Sequence, residues 1–227
     1  MRHEDILRNY YREKIEGGGH PNLRGAVLEY LVKNELRAKH YLDIGCANGS
    51  FSIQIAKEVG AEKTFGIDIS PSALKEAEKN GVRVYMIDIN KDSLPFDSGS
   101  IDLITSFKVI EHLLSTDNLI SESYRVIKEG GYFIISTPNL ASWINRIYLV
   151  LGRQPRSYEV SLNVKLDGVL KGGYEPIGHI RLYTLKSLKD HLTHYEFKII
   201  KVLGCPEPIG IHEHDPRITI RLAGYIH

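Results

Sequence analysis

Asp43, Gly45 and Gly49 stand in the stretch HYLDIGCANGS, residues 40–50, where an apolar run breaks into a glycine-bearing turn. A helical pattern follows at Phe51, Ile53, Ile55, Ala56 and Val59. Strand, glycine loop and helix in this order open a βαβ unit. Glycine lets the backbone approach a ligand closely, and a helix start offers unpaired N–H groups. The spacing Asp43-x-Gly45-x-x-x-Gly49 is not the G-x-G-x-x-G of dinucleotide binders, since Asn48 stands where a further glycine is expected. The acid ahead of the loop would repel a pyrophosphate and suits a ligand with a cationic end. Asp68 closes the next apolar run, Thr64–Ile67. It lies about 20 residues on, where an acid grips ribose hydroxyls.

These groups need a frame. Strand-like runs at about 40–44, 63–68, 82–87, 101–106 and 132–137 alternate with helical runs at about 49–59, 71–79 and 116–128. Ser70-Pro71 caps and starts one of these helices, and Gly130-Gly131 reads as the end of another. Alternation of this kind predicts a mostly parallel sheet covered on both faces. Ligands of such sheets bind beyond the carboxyl ends of the strands. Asp43–Gly45, Asp68, Asp88 and Ser106-Phe107 all fall there, so one pocket gathers them. Two helices precede the first strand: residues 3–16, and a second through about Leu36 with Asn22 as its cap. After residue 138 the pattern departs. An apolar stretch, Ala141–Leu151, leads into a glycine-bearing irregular segment that ends near Tyr183. Long irregular segments inside compact domains are commonly lids. Thr184 caps a last helix, about 185–193, and strand-like runs at 195–203 and 217–226 close the chain.

The ordered set of GIDIS (66–70), MIDINKDSLPFDSGSIDLI (86–104), IEHL (110–113) and SYRVIKEGGYFIISTPN (123–139), with the glycine loop, resembles the class I S-adenosylmethionine-dependent methyltransferases of the small-molecule type. The resemblance covers roughly residues 38–139, and more weakly 178–203. It implies an α/β, Rossmann-like, doubly wound and mostly parallel seven-stranded sheet. An antiparallel carboxyl-terminal hairpin and an inserted cap after strand five complete the implied fold. Within a single domain, 1–38 would be leading helices, 39–138 the cofactor-binding core, 139–183 the cap, and 184–227 the last helix and hairpin.

The implied cofactor is S-adenosylmethionine, leaving as S-adenosylhomocysteine. Gly45, Cys46, Ala47, Asn48 and Gly49 would lie against its methionine part, with Asp43 holding the ammonium. Asp68 would accept from the ribose hydroxyls, and Ile69 would pack on the adenine. Asp88 would accept the adenine amino group, as the family's third-strand acid does, with Ile89 offering its N–H. Ser106 and Phe107 would lie beneath the methionine chain. A hydroxyl acceptor must lose a proton, so a base is wanted. His112 is the first candidate, just past strand four, and His179 in the run GHIRLYT is the second. Tyr10, Tyr11, Arg24, Trp143 and Arg181 are candidates to face the acceptor. The plainer reading of any one of these is packing or a turn.

Ubiquinone-biosynthesis-type O-methyltransferases resemble the chain through the same EH and STPN stretches. Some carry a Glu-x-x-Glu-His run that can hold a divalent metal. Here Lys108 replaces the first carboxylate, which argues against a metal bound in that mode. The loop His212-Glu213-His214-Asp215 reads as solvated, and no metal is expected. Formal charge is +1 over 227 residues, so no field marks the chain for nucleic acid. Cys46 and Cys205 make no metal spacing and read as reduced thiols. No apolar run reaches the roughly 18 residues of a membrane span, and the amino terminus lacks a signal-peptide core. A cytoplasmic enzyme methylating a small-molecule oxygen is the expectation. The competing readings are a nucleic-acid or protein methyltransferase, a nicotinamide-dependent oxidoreductase, and a cofactor-binding protein without turnover. Nothing in the sequence sets the oligomeric state.

Overall fold

A computed structural model describes residues 21–155, 158, 160–161, 178–204, 207–208, 214–215 and 219–225. The expected helix at 3–16, with Tyr10 and Tyr11, lies outside these residues, as does most of the segment 156–177.

The first described helix, α1, is Pro21–Lys33. Its described span includes Asn22, which the sequence placed ahead of it as a cap. Proline suits the first helical position because its missing N–H would be unpaired there anyway. The apolar run His40–Ile44 forms β1, the glycine loop follows, and Ser50–Val59 forms α2. Then come β2 (Lys63–Asp68), α3 (Pro71–Lys79), β3 (Arg83–Met86) and β4 (Ile101–Phe107). A single 3₁₀ turn, Ile110–His112, leads to α4 (Thr116–Val126), which runs directly into β5 (Ile127–Ser136). After α5 (Trp143–Val150) the chain returns through α6 (Leu185–His194), β6 (Phe197–Gly204) and β7 (Thr219–Tyr225). A short ribbon of Glu207–Pro208 with His214–Asp215 sits between the last two strands in sequence.

Local chemistry accounts for the helix starts. Ser70 accepts from the Ala73 N–H ahead of α3, and Thr184 and Ser187 form a reciprocal capping box at α6. Gly130-Gly131 behaves differently from the expectation. It lies inside β5 and does not end the helix, because the strand bulges there. Ile101 pairs with Ile127, whereas Leu103 pairs with Tyr132. Gly130 takes φ +73, and a Cβ on Gly131 would stand 3.0 Å from the Asp102 carbonyl oxygen. Such an inserted bulge needs residues without side-chain bulk.

In spatial order the sheet runs β3-β2-β1-β4-β5-β7-β6. The first five strands are mutually parallel, and β7 is antiparallel to both of its neighbours. The class is therefore α/β and Rossmann-like. Alternate residues face opposite layers. Leu42, Ile44, Ile104 and Ile135 pack with Leu119, Ile120, Leu188 and Leu192. Tyr41, Leu103 and Ile134 pack with Leu23, Val27, Leu31, Ile55 and Val59. The order of connection reverses where β1 lies between β2 and β4, and ligands of open α/β sheets bind in the crevice at such a point. Among the described residues no helix is long and apolar enough to cross a membrane.

Candidate active site

The glycine loop folds back over the end of β2. The N–H groups of Gly45 and Cys46 both donate to the Ile67 carbonyl, at 2.7 and 3.0 Å. Gly45 holds φ +80, and a Cβ there would come within 2.3 Å of Val109 Cγ2. The glycine is thus demanded by the loop after β4 as well as by the turn. Ala47 holds φ +47 and Lys108, at the end of β4, φ +60. Left-handed backbone at non-glycine residues is costly and concentrates at functional sites.

Asp43 is buried beneath this loop. Its Oδ2 accepts from Ser52 Oγ at 2.5 Å and its Oδ1 from Thr105 Oγ1 at 2.7 Å. Thr105 Oγ1 also lies 2.7 Å from Tyr41 Oη. One carboxylate therefore ties β1 to α2 and β4. Burial raises its pKa to about 6, partly offset by the two hydroxyl donors, with Asp68 raising and Arg24 lowering it further. Ser52, Thr105 and Tyr41 were not singled out in the sequence, because only the parallel register brings Thr105 opposite Asp43.

Asp68 ends β2. It accepts from the Ala47 N–H through Oδ2 and from the Ser70 N–H through Oδ1, both at 2.9 Å. Burial holds its pKa up, and these backbone donors oppose that. A carboxylate has about four lone-pair directions, so capacity for ribose hydroxyls remains. Cys46 lies under the loop among Leu74, Ala77 and Val82. Burial first, then Asp43 and Asp68, push its thiol well above the usual range, so it is neutral and unreactive. Asn48 Oδ1 accepts from the Ser50 N–H at 3.1 Å, and its carbonyl accepts from Asn80 Nδ2 at 2.8 Å.

Asp88 lies in the loop after β3. Its Oδ1 accepts from the Asn90 N–H and from Asn90 Nδ2, a turn closed by a side chain. Asn90 Oδ1 in turn accepts from the Leu114 and Ser115 N–H groups. Ile89 is buried in the core beside it, and Ile69 is half-buried past β2. Ser106 is fully enclosed, and its hydroxyl has no hydrogen-bond partner among the described residues. Phe107 packs on Phe51 with ring centroids 5.3 Å apart. The Arg24 guanidinium lies over the same Phe51 ring at 5.0 Å and is close enough to Asp43 to influence its charge. Arg24 thus stands at the glycine-loop end of the crevice.

At the other end, the 3₁₀ turn after β4 meets the segment that returns to α6. The Ile180 and Arg181 N–H groups donate to the Glu111 carbonyl at 2.8 and 3.0 Å. His112 Nδ1 lies 3.1 Å from the Gly178 carbonyl oxygen, and the His112 and His179 rings are 4.7 Å apart. His179 Nε2 stands 3.9 Å from Glu111 Oε1. Glu111 is 0% exposed, and neither carboxylate oxygen has a hydrogen-bond partner among the described residues. Glu111 was read in the sequence only as the acid beside His112 and was not counted among the site residues. The Leu140 N–H donates to the Tyr183 carbonyl at 2.8 Å, so the two ends of the segment after β5 meet. Trp143 on α5 is 51% exposed, and Arg181 reaches the Leu114 carbonyl from an exposed position. The backbone of His214-Asp215 is paired in the short ribbon, and His212 and Glu213 lie outside the described residues.

Asp43 and Asp68 thus stand at the ends of two adjacent parallel strands, on one crevice. The methyltransferase domain family matches residues 36–165, and the chain belongs to it. A probable S-adenosylmethionine-dependent methyltransferase of Mycolicibacterium smegmatis is 29% identical over 51% of this chain and 44% of its own length. The ubiquinone biosynthesis O-methyltransferase of Coxiella burnetii is 32% identical over 56% of this chain and 55% of its own. The chain thus spans about half the length of these curated relatives. An N-methyltransferase of Bradyrhizobium japonicum, solved with S-adenosylhomocysteine, shares the fold at TM-score 0.63 and 16% identity, over 99% of this chain and 96% of that one. The chain therefore holds an S-adenosylmethionine-dependent methyltransferase domain, and the nicotinamide reading falls away.

Proposed function

We propose that this chain is a small-molecule O-methyltransferase working as one cytoplasmic domain over residues 1–227. Asp68 holds the ribose of the donor, and the loop Gly45–Gly49 lies along the methionine part. Asp43 carries the charge that faces the ammonium, acting through the loop it supports. The other cofactor contacts stay as read from the sequence: Ile69, Asp88 and Ile89 around the adenine, and Ser106 and Phe107 beneath the methionine. Arg24, first read as an acceptor residue, is better placed for the cofactor's carboxylate, since it stands beside Asp43 and Phe51.

Bound S-adenosylmethionine supplies an already activated methyl group, so the protein has to align the acceptor and exclude water. His112 and His179 form the acceptor end and deal with the acceptor's proton. The observation that carries this is their convergence beside Glu111, just past β4, with rings 4.7 Å apart. The segment 139–183, whose ends meet at Leu140 and Tyr183, is the cap, and Trp143 and Arg181 shape the acceptor's pocket. The Coxiella relative, an O-methyltransferase by name, supports oxygen as the target.

The test is a product-mass screen with isotopically labelled donor against fractionated metabolites, RNA and protein. Label on a hydroxyl of a small molecule is the expected result. Label confined to RNA or protein, or to nitrogen, would overturn the reading.

A further inference from the structure

We infer that Glu111, His112 and His179 form a binding site for a divalent transition-metal ion at the acceptor end of the crevice. The sequence argued against a metal because Lys108 stands where related enzymes have a first carboxylate. The fold supplies a different third ligand. His179 comes from the far side of the inserted segment, and the ligating atoms of the three residues all lie within 4.8 Å of one another.

Glu111 carries the argument. Its carboxylate is fully enclosed, and both oxygens lack a hydrogen-bond partner among the described residues. Taking a carboxylate out of water without hydrogen bonds or a counter-charge is expensive. The His179 imidazole stands 3.9 Å away, beyond hydrogen-bonding distance. The backbone of Glu111 is pinned by two N–H donors from Ile180 and Arg181, so the fold holds the unpaired side chain in place.

The imidazoles fit the same role. His112 Nδ1 faces the Gly178 carbonyl at 3.1 Å, which makes Nδ1 the donor and turns the lone pair to Nε2. Metal-ligating histidines are ordinarily oriented this way, one ring N–H fixed by a carbonyl or carboxylate. Two imidazoles and one carboxylate suit zinc or iron(II) and not the all-oxygen preference of magnesium or calcium. Three protein ligands leave a position for an acceptor oxygen or water.

The inference deepens the proposed function, on which its chemical meaning rests. A cation held here would lower the pKa of an acceptor hydroxyl, the need that His112 and His179 otherwise meet as bases.

The experiment uses the full chain without a histidine tag, stripped with a chelator and titrated with zinc chloride by calorimetry. Cobalt(II) absorption gives an independent view of the ligand field. One ion per chain is expected. The affinity should fall more than about 100-fold in both Glu111→Gln and His179→Gln, a larger loss than outer partners of a metal typically produce. Retained S-adenosylhomocysteine affinity shows that each variant is folded, and His112→Gln, at a half-buried position, serves if either of the others is not. No stoichiometric binding, or binding unchanged in these variants, would overturn the site. Failure of the O-methylation reading is seen separately, in the mass screen. Metal binding with label on nitrogen would keep the site and sink that reading, and the reverse result would do the opposite.

Discussion

The two ends of the crevice are built differently. At the glycine-loop end, Asp43, Gly45, Ala47 and Asp68 come from two adjacent βα units, and their bonds run between neighbouring parallel strand ends. At the acceptor end, His112 meets Gly178 across 66 positions of sequence, with the whole inserted segment between them. On the proposed function the first end is the donor's seat. The second is assembled with the inserted segment, where the proposed function puts the choice of acceptor. A fixed donor seat and an independent acceptor end let one fold serve different acceptors.

The loop glycines offer the strongest way to break this division. Gly45→Ala adds a Cβ 2.3 Å from Val109 Cγ2 at a position with φ +80. Strain and overpacking together should cost about 3–5 kcal/mol. Gly130→Ala, with φ +73 but nothing within 4 Å, should cost only about 1 kcal/mol. Denaturant unfolding of the two variants checks the contrast. Because Val109 belongs to the acceptor-side loop, Gly45→Ala with Val109→Ala should recover part of the loss. Equal costs in both glycine variants would mean that the ends are not in contact through Val109.

A smaller effect sharpens the role of Asp43. Its pKa in the folded chain is raised from 3.8 to about 6. The folded state therefore holds a proton that the unfolded state has released between about pH 4 and pH 6. Stability falls as pH rises through that window, by at most about 3 kcal/mol. Asp43→Asn should flatten that slope. A cationic cofactor group favours the ionised carboxylate, so cofactor affinity should rise from pH 5 to pH 7 in the wild type and lose that rise in the variant. Calorimetry at several pH values measures both.

The glycine-loop end was legible in the sequence because its signals are local. A turn needs glycine, a helix start follows it, and an acid stands at each strand end. Its hidden parts, Ser52 and Thr105 on Asp43, depend on register and carry no mark of their own. Gly130-Gly131 misled for a physical reason: glycine serves a strand bulge as well as a helix end. Asn22, read as a cap, lies within the described helix. At the acceptor end His112 and His179 could be picked out singly as imidazoles near strand ends. Their meeting could not, and without it Glu111 was only the acid beside His112.

The most direct measurement is S-adenosylhomocysteine affinity, by calorimetry, in the wild type, Asp68→Ala and His112→Gln. Asp68→Ala removes a charged acceptor and with it the bonds from the Ala47 and Ser70 N–H groups. With each hydrogen bond to a charged group worth about 1.5–3 kcal/mol, the affinity should fall by a factor of ten or more. His112→Gln should leave it within about threefold of wild type, because His112 lies past β4 against Gly178 and His179. An unchanged dissociation constant in Asp68→Ala, or a matching loss in His112→Gln, would contradict the division of the site.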